Sequence, residues 1–205
     1  MMALTTGRRS WLSCWITMVR KALSSSTVTT TVASTTRRTP NTSGYLVKQG
    51  HQLASHTWAH AHLAQLTGDA LNAEFTKTNE AITKITGRTP AFMRPPYGEY
   101  NDEVVETAAS NGQTVVIWDF DSQDSIGATA AQSKSYYDDI INKNPGHILT
   151  LNHETMETTV HDVIPYALKL IKDKGYKMVT VAQCLGKEPY QATTTAATRD
   201  GSWTC

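Results

Sequence analysis

The sequence lacks several features that define other classes of protein. No apolar run in its 205 residues approaches the roughly 20 residues that a membrane-spanning helix needs. The net charge is only +1, which gives no electrostatic case for binding nucleic acid or an anionic membrane. The three cysteines, Cys14, Cys184 and Cys205, allow at most one disulfide and leave one thiol over, so they exclude a disulfide framework.

Acidic residues are absent from residues 1–39, where Ser and Thr are crowded instead. This composition predicts a disordered basic tail. The stretch Trp11–Val19 follows two arginines, but it contains Ser, Cys and Thr, and no small-residue cleavage site stands directly after it. We therefore do not interpret it as a signal peptide.

From about Asn41 the pattern becomes that of a globular α/β protein, and 40% hydrophobic content is enough for a core. Helical and strand patterns alternate, which predicts parallel βαβ units. The predicted helices are 43–49, 69–85 with Gly87 as its C-cap, 102–110, 128–141 and 160–174. The predicted strands are 91–94, 114–118, 147–151 and 178–181, and 52–55 is predicted to be a short strand or turn. The Thr- and Ala-rich tail 190–205 is predicted to be disordered, so the domain is expected to span 40–189.

The stretch His56-Thr57-Trp58-Ala59-His60 contains two imidazoles four residues apart. If the segment is helical, both rings face the same way and can reach one metal ion. Imidazole nitrogen is a natural ligand for zinc. On its own, this spacing more often belongs to surface or core histidines.

Three further segments carry chemistry. The guanidinium of Arg94, in Arg94-Pro95-Pro96-Tyr97-Gly98, fits a carboxylate, although the segment alone is equally typical of a rigid turn with a surface cation. A polar loop holds Asp121 and Asp124, residue types that also cap helices. The third segment is Leu151-Asn152-His153, whose histidine follows a predicted strand and can either cap the strand end or transfer protons near neutral pH.

In this order the motifs resemble the polysaccharide deacetylase family (the NodB homology domain, carbohydrate esterase family 4), and most closely its fungal chitin deacetylases, over roughly residues 41–188. The resemblance implies an irregular (β/α) barrel with its chemistry at the C-terminal ends of strands. It implies metal-assisted hydrolysis of N-acetyl groups on chitin or a related GlcNAc polymer, releasing acetate. It also implies a secreted protein, extracellular or in the cell wall.

The resemblance assigns catalytic roles to matching residues. His56 and His60 match the ligands of zinc or another divalent metal. Arg94 matches the arginine that holds the catalytic base. His153 matches the acid that protonates the leaving amine, and Asp124 matches the carboxylate that tunes it.

Substrate contacts are implied as well. The backbone N–H of Tyr97 matches an oxyanion donor, Leu151 matches the residue lining the acetyl pocket, and Trp118 is expected to contact the substrate. Ser125 stands where the family's Asp-x-x-Asp-Trp motif has tryptophan. The part of the substrate groove that this tryptophan forms in the family is therefore expected to differ here. Cys184 resembles a family cysteine that bridges to the N-terminal region, where no matching partner is found.

The family's opening Asp-Asp-Gly-Pro strand, which supplies the base and a third metal ligand, has no counterpart here. Codons for Asp-Asp-Gly-Pro-Tyr, read one base late, give Met1-Met2-Ala3-Leu4-Thr5. We therefore interpret residues 1–39 as an out-of-frame or disordered segment, and the fold as one lacking its first strands. The genomic DNA around the first codon tests this hypothesis, which an absence of Asp-Asp codons in the neighbouring frame would end.

The missing carboxylates imply weak or no activity and a weakened metal site. The nearest downstream carboxylates that could replace the third ligand are Asp69 and Asp102. Two alternatives stay open: a non-catalytic glycan-binding remnant of the fold, and a non-functional product of a mis-predicted gene start.

Overall fold

The computed structural model describes residues 11–15, 17–18, 42–198 and 200, with side chains from residue 43 onward. In chain order its strands and helices are β1 (Trp11–Trp15), β2 (Thr17–Met18), α1 (Thr42–Lys48), β3 (Leu53–Ala54), α2 (Gly68–Thr86), β4 (Arg88–Pro90), β5 (Phe92–Met93), α3 (Asp102–Ser110), β6 (Thr114–Val115), β7 (Phe120–Asp121), α4 (Ala130–Asn142), β8 (His147–Leu151), α5 (Ile164–Asp173), β9 (Tyr176–Thr180), α6 (Val181–Leu185) and β10 (Tyr190–Thr193). The chain divides into two compact units, one of Met1–Trp15 with Trp118–Val179 and one of Ile16–Ile117 with Thr180–Cys205. None of the helices in the described ranges is long and apolar enough to cross a membrane.

The first unit is built on a four-stranded sheet in the order β7-β8-β1-β9. Strand β8 pairs in parallel with both β1 and β7. The apolar faces of α4 and α5 pack in its core, whose fully buried residues include Tyr137, Ile148 and Ile171. Helix α4 begins where the side chains of Thr129 and Gln132 satisfy each other's backbone N–H groups in a capping box.

The second unit contains short parallel pairs, β2 with β3 and β5 with β6, and a bridge from Ser55 to Met93. Helix α2 packs against this region, because Leu71 and Phe75 recur at helical spacing and are fully buried with Met93. The helix ends at Gly87, whose left-handed backbone (φ 71°) allows its N–H to donate to the carbonyl of Thr83. The predicted helix and its glycine cap are confirmed.

Several predicted elements are shorter than the sequence indicated. The apolar run 114–118 forms a strand only at Thr114–Val115. The helix predicted over 160–174 opens with a π-helical turn, Thr159–Val163, before α5 begins. Pro165 lies in the first turn of α5 and has no N–H to donate to the carbonyl four residues earlier, which interrupts the α-helical ladder.

Two regions predicted to be disordered contain strands. β1 and β2 lie within 1–39, and the rest of that segment lies outside the described residues. At the other end, β10 pairs antiparallel with β4. Beyond it, the N–H of Thr194 donates to the carbonyl of Gly87 at 2.7 Å and that of Ala197 to the carbonyl of Lys84 at 2.8 Å. Backbone hydrogen bonds therefore order this part of the tail, although its Thr- and Ala-rich composition predicted disorder. Cys184 is disulfide-bonded, so the expectation that it lacks a partner was wrong.

Replacing Gly87 with alanine is expected to destabilise the protein. A Cβ there would lie 2.2 Å from the carbonyl oxygen of Thr194, a backbone atom that cannot turn aside, and the residue would keep a left-handed φ. We expect a loss of about 2–3 kcal/mol in the free energy of unfolding, measured in urea. Gly50→Ala is the matched control, because its φ is also positive but nothing lies within 4 Å. Equal losses in the two variants would contradict the close packing of the tail on Gly87.

Candidate active site

The loop that carries His56 and His60 is not a helix. Thr57 and His60 both have left-handed backbones, with φ of 69° and 56°. The sequence argument assumed that this segment is helical, and that assumption is wrong. The rings nevertheless meet, with centroids 5.0 Å apart in an edge-to-face arrangement. A strained loop, rather than helical periodicity, brings them together.

The contact of His56 with the backbone determines which ring nitrogen can bind a metal. Its Nδ1 lies 2.7 Å from the carbonyl oxygen of Arg94, which can only accept, so Nδ1 carries the proton. In the neutral ring the lone pair is then on Nε2, which is also the arrangement in metal sites whose histidine donates its second ring N–H to a carbonyl. Zn–N bonds are about 2.0–2.1 Å long, so two imidazoles on one tetrahedral ion have centroids roughly 5 Å apart, and the observed separation fits.

The described residues supply no third protein ligand. Among residues 43–198, no group of three or more His, Cys, Asp or Glu side chains is placed to hold a metal ion. Asp69 lies in the first turn of α2 and Asp102 in the first turn of α3, and neither joins the two histidines in such a group. The suggestion that either one completes the site finds no support.

Arg94 directly follows β5 and is 3% exposed. Its N–H donates to the carbonyl of Ser55 at 2.9 Å, so the residue is fixed beside the segment that leads to His56. Burial lowers the pKa of its guanidinium to about 10, which still leaves it charged at neutral pH.

Tyr97 occupies a strained position, with φ 60° and ψ 2° inside a short helical turn. Its ring is half exposed and lies between two imidazoles. It makes an edge-to-face contact with His60 at 4.9 Å and stacks on His62 at 4.0 Å. The Nδ1 of His62 is 2.9 Å from a carboxylate oxygen of Glu99. His62 belongs to none of the motifs found in the sequence, yet it joins this aromatic row.

In the other unit, Asp124 and His153 are in direct contact and almost fully buried. The Nδ1 of His153 lies 2.5 Å from one oxygen of Asp124, and the backbone N–H of His153 donates to the other at 2.6 Å. The hydroxyl of Thr159 donates to that second oxygen at 2.8 Å. Asp121, the other carboxylate of this motif, instead accepts from the N–H of Gln123 in its own turn.

These donors determine the charge of Asp124. Burial acts to raise its pKa, but the hydrogen bonds from the ring and N–H of His153 and from Thr159 outweigh burial, and the pKa lies below its ordinary value. Asp124 is therefore ionised at neutral pH and can only accept. The Nδ1 of His153 must then carry a proton, so in the neutral ring the lone pair is on Nε2.

The sequence did not reveal two side chains that help to fix the Asp124–His153 pair and its neighbouring backbone. Thr159 lies in the π-helical turn, and nothing in a single sequence marks it out. Asn152 donates from its side-chain amide to the buried hydroxyl of Tyr137 at 2.7 Å, which anchors the backbone next to His153. The sequence predicted the helix that carries Tyr137, but did not single out this residue or its polar partner.

The two remaining substrate-contact residues lie on the first unit. Leu151 ends β8, is half-buried and accepts through its carbonyl from the N–H of Ser122 at 3.2 Å. Trp118 is half-buried and precedes β7. Their contacts with substrate stay predictions.

Comparison with known proteins identifies the family of this chain. The polysaccharide deacetylase family model matches residues 11–116. A chitin deacetylase from Amylomyces rouxii is 39% identical over 70% of this chain and 36% of its own length, and one from Pestalotiopsis sp is 33% identical over 67% and 46%. The chain thus spans less than half of these curated relatives.

A solved family 4 carbohydrate esterase from Streptomyces lividans, in complex with acetate, is 28% identical, with a TM-score of 0.62 over 76% of each chain. The mixture of helices and strands is consistent with an incomplete α/β barrel of this type, so the predicted fold class is confirmed. The family model covers just over half of the 205 residues, including His56, His60 and Arg94. The chain therefore belongs to the polysaccharide deacetylase family.

Proposed function

We propose that this chain hydrolyses N-acetyl groups of chitin or a related GlcNAc polymer, releasing acetate, and that it does so slowly. The observation that carries the proposal is the buried Asp124–His153 pair, which holds a histidine in the tautomer that a general acid needs. The names of the relatives support the substrate class. By the same resemblance, we place the protein outside the cell or in the cell wall.

In the proposed reaction, water adds to the acetyl carbon and releases its proton to solvent, because the position of the family's base holds no carboxylate, and the C–N bond then breaks. Protonated His153 gives its Nε2 proton to the departing nitrogen, so a free amine and acetate leave. Asp124 stabilises the imidazolium and fixes its ring. The backbone N–H of Tyr97, which lies in the strained turn, is the candidate donor to the oxyanion. Leu151 and Trp118 would contact the acetyl group and the sugar.

His56 and His60 would hold the metal, through Nε2 in the case of His56. A divalent metal bound there would supply a Lewis acid that polarises the acetyl carbonyl and lowers the pKa of water. The chain has no Asp or Glu before Asp69, so the position of the family's base and third ligand is not filled by a carboxylate. Both the slow turnover and a weakened metal site follow from that.

The test is acetate release from chitin oligomers with added zinc. We expect slow, zinc-dependent release that falls at least 100-fold, or to background, in His153→Ala, since general acids contribute about 10²–10⁴-fold. Equal rates in the variant and the parent chain would contradict the proposal. Ordinary turnover by the parent chain would contradict only its slowness.

A second candidate function is glycan binding without hydrolysis. The lack of a three-ligand cluster among the described side chains favours it, because binding a polymer needs no metal. Calorimetry with chitin oligomers separates the two functions. Binding without acetate release, unchanged by zinc, would favour the non-catalytic role.

A further inference from the structure

Glu74 lies where the pattern of α2 calls for an apolar residue. The buried residues of this helix are Leu71, Glu74, Phe75, Thr78 and Ile82, and Glu74 is 7% exposed. A buried carboxylate costs free energy unless its oxygens accept hydrogen bonds. We therefore expect a hydrogen-bond donor close to the carboxylate of Glu74.

That partner lies in the loop between the two histidines. One carboxylate oxygen of Glu74 accepts from the backbone N–H of Ala59 at 2.8 Å. Ala59 directly precedes His60, whose left-handed backbone is costly for a residue with a side chain. A charged acceptor forms a stronger bond to an N–H than a neutral one does, so it can hold a strained backbone in place.

We infer that Glu74 is a positioning residue for the metal site, because its carboxylate fixes the loop in the shape that brings the rings of His56 and His60 together. The inference rests on the proposed function in one respect, the identity of the two histidines as ligands. Glu74 holds the loop from α2, while the carbonyl of Arg94 holds the ring of His56 from the end of β5. Residues that orient ligands in this way typically change metal affinity by about 10–100-fold.

The experiment measures zinc affinity by calorimetry in the full chain. Glu74→Leu keeps the approximate size of the side chain and removes the acceptor, and we expect a loss of affinity of at least about tenfold. Glu74→Gln keeps an oxygen that can accept from Ala59, and we expect it to remain within about threefold of the parent. Affinity in Glu74→Leu equal to that of the parent would overturn the inference.

Thr78→Ala is the matched control for packing. Thr78 is buried on the same face of α2, and its hydroxyl donates to the backbone carbonyl of Glu74 rather than to the loop. We expect it to lower the thermal unfolding temperature and leave zinc affinity unchanged. A loss of affinity as large as that of Glu74→Leu would show that general loosening of the helix suffices, and would overturn the role of the carboxylate.

A second measurement works without metal. Nitrogen NMR of the histidine rings reports the tautomer of His56, which the structure fixes with the proton on Nδ1. We expect the metal-free parent to show this tautomer and Glu74→Leu to show a mixture. If the parent takes up no zinc, the metal site proposed above is wrong, while the tautomer comparison still decides the inference. An unchanged tautomer in Glu74→Leu overturns it.

Discussion

Replacing Asp124 with alanine is expected to lower the free energy of unfolding by about 2–4 kcal/mol, among the largest effects of any single change in this chain. The substitution leaves three buried donors without their acceptor: the ring and N–H of His153 and the hydroxyl of Thr159. Such groups lose their hydrogen bonds to water on folding and gain nothing in return. Chemical unfolding at neutral pH measures the loss.

Asp124→Asn is the informative companion variant. Its amide oxygen can still accept from Thr159 and from the N–H of His153, so we expect a smaller loss of stability. Its NH₂ would face the Nδ1 of His153, which must then accept and leave the proton on Nε2. Nitrogen NMR should therefore show the opposite tautomer in this variant. The same tautomer as in the parent would contradict the assignment of Asp124 as an ionised acceptor.

The stabilisation by Asp124 should also depend on pH in one direction. The folded-state pKa lies below the ordinary value of 3.8, so the stabilisation is complete above pH 3.8 and is lost as the pH falls through the lower folded-state pKa. The difference in unfolding free energy between the parent and Asp124→Asn should therefore shrink as the pH is lowered below 3.8. A difference that stays constant as the pH falls through this acid range would contradict the assignment of Asp124 as an ionised acceptor.

Replacing His60 with alanine is expected to weaken zinc binding at least about tenfold, and to remove it from the range that calorimetry measures. The described residues offer two imidazoles and no third ligand, so a single remaining ring cannot compete with water for the ion. His56→Ala should behave alike. Titration of the metal-free protein with zinc measures both.

Three control variants test whether the loss of zinc affinity is specific to His56 and His60. His161→Ala removes an exposed histidine with no assigned role and should leave the affinity unchanged. Asp69→Asn and Asp102→Asn test the carboxylates that the sequence offered as substitutes for the missing ligand, and both should also bind as the parent does. A clear loss in either variant would mean that a carboxylate completes the site, contrary to the arrangement of the described side chains.

Much of the fold could be predicted from local patterns. The helix Asp102–Ser110 and the strand His147–Leu151 have the bounds that periodicity predicts. The glycine end of α2 was also predicted, because a left-handed cap leaves a clear signature. By contrast, β10 was missed, since its stability comes from pairing with β4, a strand far earlier in the chain, rather than from its own composition.

The sequence by itself determined which chemical groups are available: two imidazoles four residues apart, an arginine before two prolines, a carboxylate and a later histidine. Residue type and order are local properties, and they sufficed to predict the family. Only the tertiary structure decided how those groups are held. The helical geometry assumed for His56 and His60 was wrong, and their meeting depends on left-handed backbone and on Glu74. The pairing of Asp124 with His153 and Thr159 joins residues 29 and 35 positions apart. Such contacts form because packing places distant segments side by side, and no periodicity in one sequence records that.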